Sequence, residues 1–170
     1  VDFKASLAII RYVLKGDQRG SSTITQQLAK NLYNTRSQEK KGLLGYIPGV
    51  NILIAKIKEW ITAINLEGNY TKEEILNLYL NTVDFGSNAY GIKVAAETFF
   101  NTSPDSLTVS QAATLIGLLK ATTTYSPVLN PDNSLERRNV VLKLMEENGD
   151  INSVVCDSLK SLPLQLKYSV

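Results

Sequence analysis

The chain has 170 residues, of which 44% are hydrophobic and 20% charged, and its formal net charge at pH 7 is +2. This composition is typical of one globular domain with its own core. The small net charge, without a long basic run, gives no support for a nucleic-acid partner. One cysteine and no histidine exclude an internal disulfide, a Ser-His-Asp triad and a histidine-ligated zinc site within the chain. Acid–base chemistry must therefore come from carboxylates, lysines or tyrosines.

The sequence predicts no transmembrane helix, because no stretch reaches about 18 consecutive apolar residues. Apolar residues recur at helical spacing almost from the first position, at Phe3, Leu7, Ile10 and Leu14. The chain opens inside this pattern and without a methionine, so we interpret it as part of a longer polypeptide.

A second helix is predicted in GSSTITQQLAKNLY, residues 20–33, with Ser21, Ser22 or Thr23 as its N-cap. Three apolar residues share the face that we expect to pack into the core: Ile24, Leu28 and Leu32. The other side carries a polar row at positions i, i+4 and i+7, with Asn31 at its margin: Thr23, Gln27 and Lys30.

Two interpretations of this polar row remain open. It is either a solvated helix face or the wall of a binding site. Gln26, Gln27, Lys30 and Asn31 form a dense set of amides and charge, which favours the binding site. The small residues at 20–22 would let a bulky ligand approach the helix N-terminus, where free N–H groups favour anions.

Residues 34–55 interrupt the helical pattern. A polar stretch, NTRSQEKK, runs into GLLGYIPGVNILIA, whose glycines and proline disfavour a helix. One interpretation is a buried turn followed by a strand. The other is an apolar loop at residues 42–55 that contacts a membrane or a lipid.

The helical period returns at Ile54, and the next helix carries a lysine and a glutamate three residues apart. Lys56 and Glu59 lie away from the face formed by Ile57, Ile61 and Ile64. A surface ion pair, which contributes about half a kcal/mol at most, is the interpretation that the spacing alone favours. The alternative is a catalytic carboxylate beside a lysine that neutralises a phosphate.

The rest of the chain is also predicted to be helical. Capping boxes at Thr71–Glu74 and Thr108–Gln111 begin two helices, and IKVAAETFF and NSLERRNVVLKLMEENG predict two more. Residues 150–170 predict one short helix and an extended exit. Arg137 and Arg138 are expected on a solvated helix face. The predicted architecture is all-α.

Several motifs resemble those of one known family. GSSTITQQLAKN resembles the hallmark motif of the peptidoglycan glycosyltransferases of family 51, the polymerase half of class A penicillin-binding proteins. AKIKEW resembles the next motif, R-K-x-x-E, KEEILNLYLN the fourth and FGSNAYGIKVAAETFF the fifth. The resemblance implies a glycosyltransferase domain over residues 1–149. Residues 150–170, with SLPLQLKY, are similar to the start of the linker towards a fused transpeptidase domain.

The resemblance implies a lysozyme-like, mostly helical domain that polymerises lipid II. The growing glycan strand leaves its polyprenyl diphosphate and is transferred, with inversion, to the 4-hydroxyl of an acceptor lipid II. Glu59 and Lys56 are then catalytic. The implied substrate-binding residues are Ser22, Thr23, Gln27, Lys30, Asn31, Tyr79 and Asn81. The loop at 42–55 would contact the membrane surface, on the outer face of the bacterial cytoplasmic membrane. No cofactor is expected with certainty, and a divalent cation stays open.

The sequence departs from the family pattern at four points, one of which is Leu119 where a proline is common. The first motif, E-D-x-x-F-x-x-H-x-G, carries the acceptor-activating glutamate and is absent from these residues, so we expect the chain alone to be inactive. Ala55 replaces the arginine of R-K-x-x-E, and Asn77 replaces an acidic residue of the fourth motif. Two alternatives therefore stay open: a non-catalytic module that binds lipid II or a partner protein, and a lysozyme-like enzyme that cleaves glycan.

Overall fold

The computed structural model describes residues 23–33 and 50–168. Apart from an isolated bridge between Asp84 and Tyr90, the regular elements in these ranges are all helical. They fall into two compact units, which meet in the sequence between Thr82 and Val83. The all-α prediction is therefore confirmed for this part of the chain.

In the first unit, local capping sets the starts of the helices that begin at Ile24 and Lys72. Thr23 Oγ1 accepts a hydrogen bond from the Gln26 N–H at 3.3 Å, so Thr23 is an N-cap, as one of the three candidates predicted. Thr71 and Glu74 form the predicted capping box, with bonds of 2.8 Å and 3.3 Å. The described helices of this unit are α1 (Ile24–Tyr33), α2 (Val50–Asn69) and α3 (Lys72–Thr82).

Helix α2 begins earlier than the sequence pattern predicted. It starts at Val50, not at Ile54, so the interpretation of a strand in this stretch is wrong for residues 50–55. Pro48 and Gly49, which disfavour a helix, come directly before this start. Residues 50–55 contain neither proline nor glycine, so they are compatible with a helix. The loop predicted at 42–55 is likewise wrong for residues 50–55, and its residues 42–49 lie outside the described part of the chain.

The buried faces of α1 and α2 differ from those that the apolar pattern predicted. Leu28 is buried as expected, but Ile24 and Leu32 are exposed, and the buried face of α1 is turned towards Thr25 and Ala29. On α2 the isoleucine face is exposed, with Ile57 at 45%, Ile61 at 57% and Ile64 at 54%. The face of α2 that is buried carries two small residues, a leucine and a carboxylate: Ala55, Ala63, Leu66 and Glu59.

The physical reason is that α1 lies against both α2 and α3. Helix axes approach closely only where the facing side chains are small, because interaxial distance depends on those side chains. Alanines on α2 and Ala29 on α1 meet that requirement, and the larger isoleucines do not. Apolar periodicity identifies a face, but it does not say which neighbour that face meets.

The described residues of the second unit form a helical cluster around a small core. Thr108 and Gln111 make the predicted capping box, and Asn152 Oδ1 accepts from the Val155 N–H at 2.9 Å. Gly149, with φ of +83°, follows the longest helix of this unit, where the left-handed conformation favours glycine. The described helices here are α4 (Gly91–Phe100), α5 (Val109–Leu118), α6 (Pro131–Glu147) and α7 (Ser153–Ser161). Ala113, Leu142 and Cys156 join α5, α6 and α7 in one core cluster.

Arg138 is buried, so the prediction of a solvated side chain is wrong. Its exposed fraction is 0%, and its guanidinium donates to the carbonyl oxygens of Leu162 at 2.8 Å and Lys160 at 3.0 Å. A further bond of 3.3 Å reaches Ser110 Oγ. The neighbouring Arg137 is half-buried. Arg138 therefore ties the exit segment after α7 to the body of this unit.

The predicted short helix and extended exit of the last residues are both confirmed, since α7 is followed by a stretch without regular structure up to residue 168. This stretch is bonded to its unit, because the Lys167 N–H donates to Phe99 O at 2.9 Å. The Tyr168 ring also lies 6.0 Å from the Phe99 ring. Among the described helices, none is both long enough and apolar enough to cross a membrane.

Candidate active site

Lys56 and Glu59 form an ion pair on α2 in which the carboxylate is buried and the lysine half-buried. The Glu59 side chain is 1% exposed and that of Lys56 15%. The Lys56 ammonium donates to Glu59 Oε2. The interpretation of a solvated surface pair is therefore wrong, and the pair lies on the side of α2 that faces its unit.

A second pair with the same K-x-x-E spacing shows what a surface pair looks like in this protein. Lys143 and Glu146 on α6 are 51% and 21% exposed, and their charged atoms lie 3.0 Å apart. The hydrogen bond from Lys143 lowers the pKa of the Glu146 carboxyl. Sequence spacing predicts both ion pairs equally, and only the packing of α2 against its neighbours makes one of them buried.

Burial of a carboxylate is costly, so the position of Glu59 needs a reason. Removing a charged group from water costs roughly several kcal/mol per ion. The attraction between the two charges often does not offset this desolvation cost. Apolar residues of similar size at such positions are often neutral or stabilising. The buried Glu59 carboxylate is therefore a candidate for a functional role.

The predicted polar row lies on the outer side of α1. Gln27, Lys30 and Asn31 are exposed, and Thr23 is half-buried at the helix start. Ser22 lies outside the described residues. Since Thr23 Oγ1 accepts the cap bond from the backbone, its hydroxyl hydrogen can still donate.

Gln26 does not belong to this exposed set, contrary to the prediction. Its side chain is buried, and within the part of the chain that the structure describes its amide has no hydrogen-bond partner. An unsatisfied buried amide group costs about 1–3 kcal/mol. The two adjacent glutamines therefore have opposite environments, which a helical rotation of about 100° between neighbours explains.

Tyr79 on α3 reaches the polar row from inside the unit. Its ring is buried, with 6% exposed, and its hydroxyl donates to Gln27 Oε1 at 3.1 Å. Burial raises the pKa of the Tyr79 phenol. The two residues lie 52 positions apart in the sequence, so no local pattern could have predicted this contact.

Asn81, the last predicted binding residue, is exposed near the end of α3. Its Nδ2 donates to Asn77 Oδ1 at 2.6 Å and to the Asn77 carbonyl at 2.9 Å. The residue that departs from the family's fourth motif is thus the hydrogen-bond partner of a predicted binding residue. Their i, i+4 spacing is a signal in the sequence that could have identified the pair.

The structure therefore brings the predicted residues of α1, α2 and α3 into one unit, since α1 packs against the other two helices. Gln27 and Tyr79 are in direct contact between α1 and α3, and Lys56 and Glu59 are in contact within α2. Among the described residues, no group of three or more histidine, cysteine or acidic side chains is placed to hold a metal ion. The predicted site residues that the structure describes comprise the buried carboxylate of Glu59, the lysines Lys30 and Lys56, and several neutral donors.

Comparison with known proteins agrees with the motifs. The family model described as transglycosylase matches residues 1–146. Penicillin-binding protein 1F of Bacillus subtilis is 42% identical over 147 residues, which cover 86% of this chain and 19% of that protein. Penicillin-binding protein 1A of Escherichia coli is 39% identical over 150 residues, covering 88% of this chain and 16% of that protein.

A solved structure is similar as well. The crystal structure of penicillin-binding protein 1A from Haemophilus influenzae is 38% identical, with a TM-score of 0.56 over 60% of this chain and 15% of that one. The all-α, lysozyme-like fold class is thereby confirmed. This chain spans a small part of these relatives, at most 19% of those described here. Because the family model matches residues 1–146 and relatives of this identity cover most of the chain, it belongs to the transglycosylase family, the peptidoglycan glycosyltransferases of class A penicillin-binding proteins.

Proposed function

We propose that the protein polymerises lipid II into glycan strands. In this reaction the 4-hydroxyl oxygen of an acceptor lipid II forms a bond to the anomeric carbon of the growing strand. The bond from that carbon to the polyprenyl diphosphate breaks, and the hydroxyl proton passes to a carboxylate base. The observation that carries the proposal is the buried Lys56–Glu59 pair, in the same unit as the donors of α1.

Lys56 and Glu59 act on the diphosphate side of the reaction. A departing diphosphate gains negative charge, and fixed cations and N–H donors stabilise it most where water is excluded. Lys56 supplies such a cation, and the Glu59 carboxylate holds the ammonium in place. Lys30 adds a second cation from α1, beside Gln27. In the family that the motifs resemble, the base that takes the acceptor proton belongs to the first motif.

The membrane surface is the second proposed partner. Lipid II is held in a bilayer, and the family resemblance places the reaction at the outer face of the cytoplasmic membrane. Exposed isoleucines continue the apolar stretch at 42–55 along α2: Ile57, Ile61 and Ile64. Changing all three to serine lowers binding to phospholipid vesicles, whereas Ile116→Ser on α5, an exposed isoleucine of the second unit, does not. Equal binding of both variants would contradict this contact.

A fused transpeptidase domain is a further proposal, in line with the greater length of the relatives.

A second candidate function is supported by two residues. Ala55 removes a cation next to the buried pair, and Asn77 removes a negative charge beside Asn81. Both changes take charge away from helices that carry predicted site residues. The alternative is therefore a module that binds lipid II or a partner protein without turnover.

The test is lipid II polymerisation by the full-length protein, read as a glycan ladder on a gel. Glu59→Gln keeps the size of the side chain and removes its charge, so it abolishes the ladder. Glu146→Gln makes the same change in the exposed pair with the same spacing and leaves the ladder intact.

Three other results would change the conclusion. Bound lipid II without a ladder in the wild type would establish the non-catalytic module. Release of soluble fragments from purified peptidoglycan would indicate a glycan-cleaving enzyme. A ladder that is equally strong in Glu59→Gln would show that Glu59 is not part of the active site.

A further inference from the structure

The turn between Asp84 and Tyr90, in the second unit, has a strained backbone. Three successive residues have a left-handed conformation, with φ of +78° at Gly86, +53° at Ser87 and +61° at Asn88. Glycine adopts this conformation freely, but serine and asparagine adopt it only at a cost in free energy. Strain of this kind persists only where surrounding contacts hold it, and it is concentrated at binding and catalytic sites.

Several contacts hold this turn in place. The Gly86 N–H donates to Asp84 Oδ1 at 2.7 Å, and the Phe85 N–H donates to the Ala89 carbonyl at 2.9 Å. Phe85 and Ala89 are both fully buried. A Cβ atom at Gly86 would lie 3.2 Å from Thr122 Cβ, so the close approach of the turn to Thr122 favours glycine. The outer face of the turn is therefore fixed by the inner one.

The isolated bridge places the side chains of Asp84 and Tyr90 next to each other. Backbone hydrogen bonds lie on either side of this pair, one of them from the Gly91 N–H to the Val83 carbonyl at 2.9 Å. Asp84 and Tyr90 are thus a non-hydrogen-bonded antiparallel pair, in which opposite side chains come closest and share one face. Both side chains are exposed, and the Tyr90 side chain is 62% exposed.

The chemistry of this outer face suits a sugar ring. The Tyr90 ring offers a flat apolar surface, and the Asp84 carboxylate accepts hydrogen bonds beside it. Ser87 and Asn88 are exposed on the same turn and add neutral donors and acceptors. Tyr90 has no capping role that would explain it, because its side chain makes no cap bond at the start of α4. A sugar presents an apolar face of C–H groups and a rim of hydroxyls, which matches an aromatic ring beside a carboxylate.

We propose that the outer face of this turn is a binding subsite for the glycan strand. The Tyr90 ring stacks on the apolar face of one N-acetylhexosamine unit, and Asp84 accepts a hydrogen bond from a hydroxyl of that unit. This inference rests on the proposed function, whose product is a chain of such rings. Tyr90 and Asp84 are binding residues in this account and take no part in the transfer step.

The test is the binding of a soluble tetrasaccharide of alternating N-acetylglucosamine and N-acetylmuramic acid to the full-length protein, followed by saturation-transfer NMR. Tyr90→Ala is expected to raise the Kd about tenfold, because the apolar contact with the sugar is lost. Tyr90→Phe keeps the ring and stays within about twofold of the wild type. Tyr70→Ala is the matched control, since Tyr70 is a 46% exposed tyrosine of the first unit, and it leaves the Kd unchanged.

A variant of Asp84 tests the carboxylate without removing the turn. Asp84→Asn retains an oxygen that accepts from the Gly86 N–H, but it removes the charge, so the Kd should rise about threefold. This variant also keeps the test valid if Tyr90→Ala fails to fold. A Kd that is the same in the wild type, Tyr90→Ala and Asp84→Asn would overturn the proposal, as would a wild type that does not bind the tetrasaccharide.

Failure of the subsite and failure of the proposed function give different results, because binding of the tetrasaccharide requires no turnover. A wild type that polymerises lipid II, with a Kd for the tetrasaccharide that Tyr90→Ala leaves unchanged, would overturn the subsite alone. A wild type that makes no polymer, but whose affinity for the tetrasaccharide depends on Tyr90, would overturn the polymerase function and support the subsite.

Discussion

Replacing Arg138 with methionine should release the exit segment that follows α7. The methionine keeps an unbranched apolar stem, so the packing of that stem is largely preserved. The guanidinium bonds to the carbonyls of Leu162 and Lys160, at 2.8 Å and 3.0 Å, are lost. Hydrogen bonds from charged groups contribute about 1.5–3 kcal/mol each, which gives an upper limit near 6 kcal/mol for the two.

The net effect is smaller than this limit for two reasons. The burial that lowers the pKa of Arg138 also opposes its charged form, and methionine does not carry that cost. The freed carbonyls lie close to the surface, because Leu162 is only half-buried, and water can reach them. We therefore expect Arg138→Met to lower the free energy of opening the exit segment by about 3 kcal/mol. This corresponds to roughly a hundredfold increase in the opening equilibrium constant.

Hydrogen exchange followed by mass spectrometry measures this opening directly. The amide of Lys167, bonded to Phe99 O at 2.9 Å, should exchange roughly a hundredfold faster in Arg138→Met. Arg137→Met is the matched control, because the neighbouring arginine is recorded over the Tyr125 ring at 5.8 Å and not against the exit segment. Equal exchange of residues 160–168 in the two variants would refute the assignment of Arg138 as their anchor.

Three further predictions concern local features. Thr108→Ala, which removes half of the capping box with Gln111, should lower the free energy of unfolding by about 1 kcal/mol in a denaturant titration. The pKa of Glu74 is lowered by its hydrogen bonds from Thr71, so its contribution to stability is present above the unfolded carboxyl pKa and disappears as the pH falls through the folded value. Glu74→Gln should reduce the loss of stability as the pH falls through this range. An unchanged dependence of stability on pH would contradict the contribution of the Thr71–Glu74 capping box. The raised pKa of Tyr79 predicts stability that is full below about pH 10 and declines at higher pH; ultraviolet titration should show one late-ionising tyrosine fewer in Tyr79→Phe than in the wild type.

Short-range features were predictable from the sequence. The capping boxes at Thr71–Glu74 and Thr108–Gln111 were both predicted correctly, because the bonding partners lie three residues apart and depend on no other element. The same holds for the short helix and extended exit of the last residues. The order and spacing of the motifs predicted the family, which the match over residues 1–146 confirms.

The environment of each side chain was not predictable in the same way. Lys56–Glu59 and Lys143–Glu146 have identical spacing, yet one pair is buried and the other exposed. The isoleucines of α2 have the strongest apolar period, yet they are exposed. Helical periodicity states which residues share a face, and only the neighbouring helix decides whether that face is covered.

The sequence alone determined the helical class of this protein, its capping boxes and its family, since each of these depends on residues within a few positions of one another or on a linear motif. The tertiary structure decided which charges are buried and which side chains from distant parts of the sequence meet. Gln27 meets Tyr79 across 52 positions, and Arg138 meets Ser110 across 28. Such contacts form only when separate helices pack together, and a linear pattern contains no information about which helices will meet.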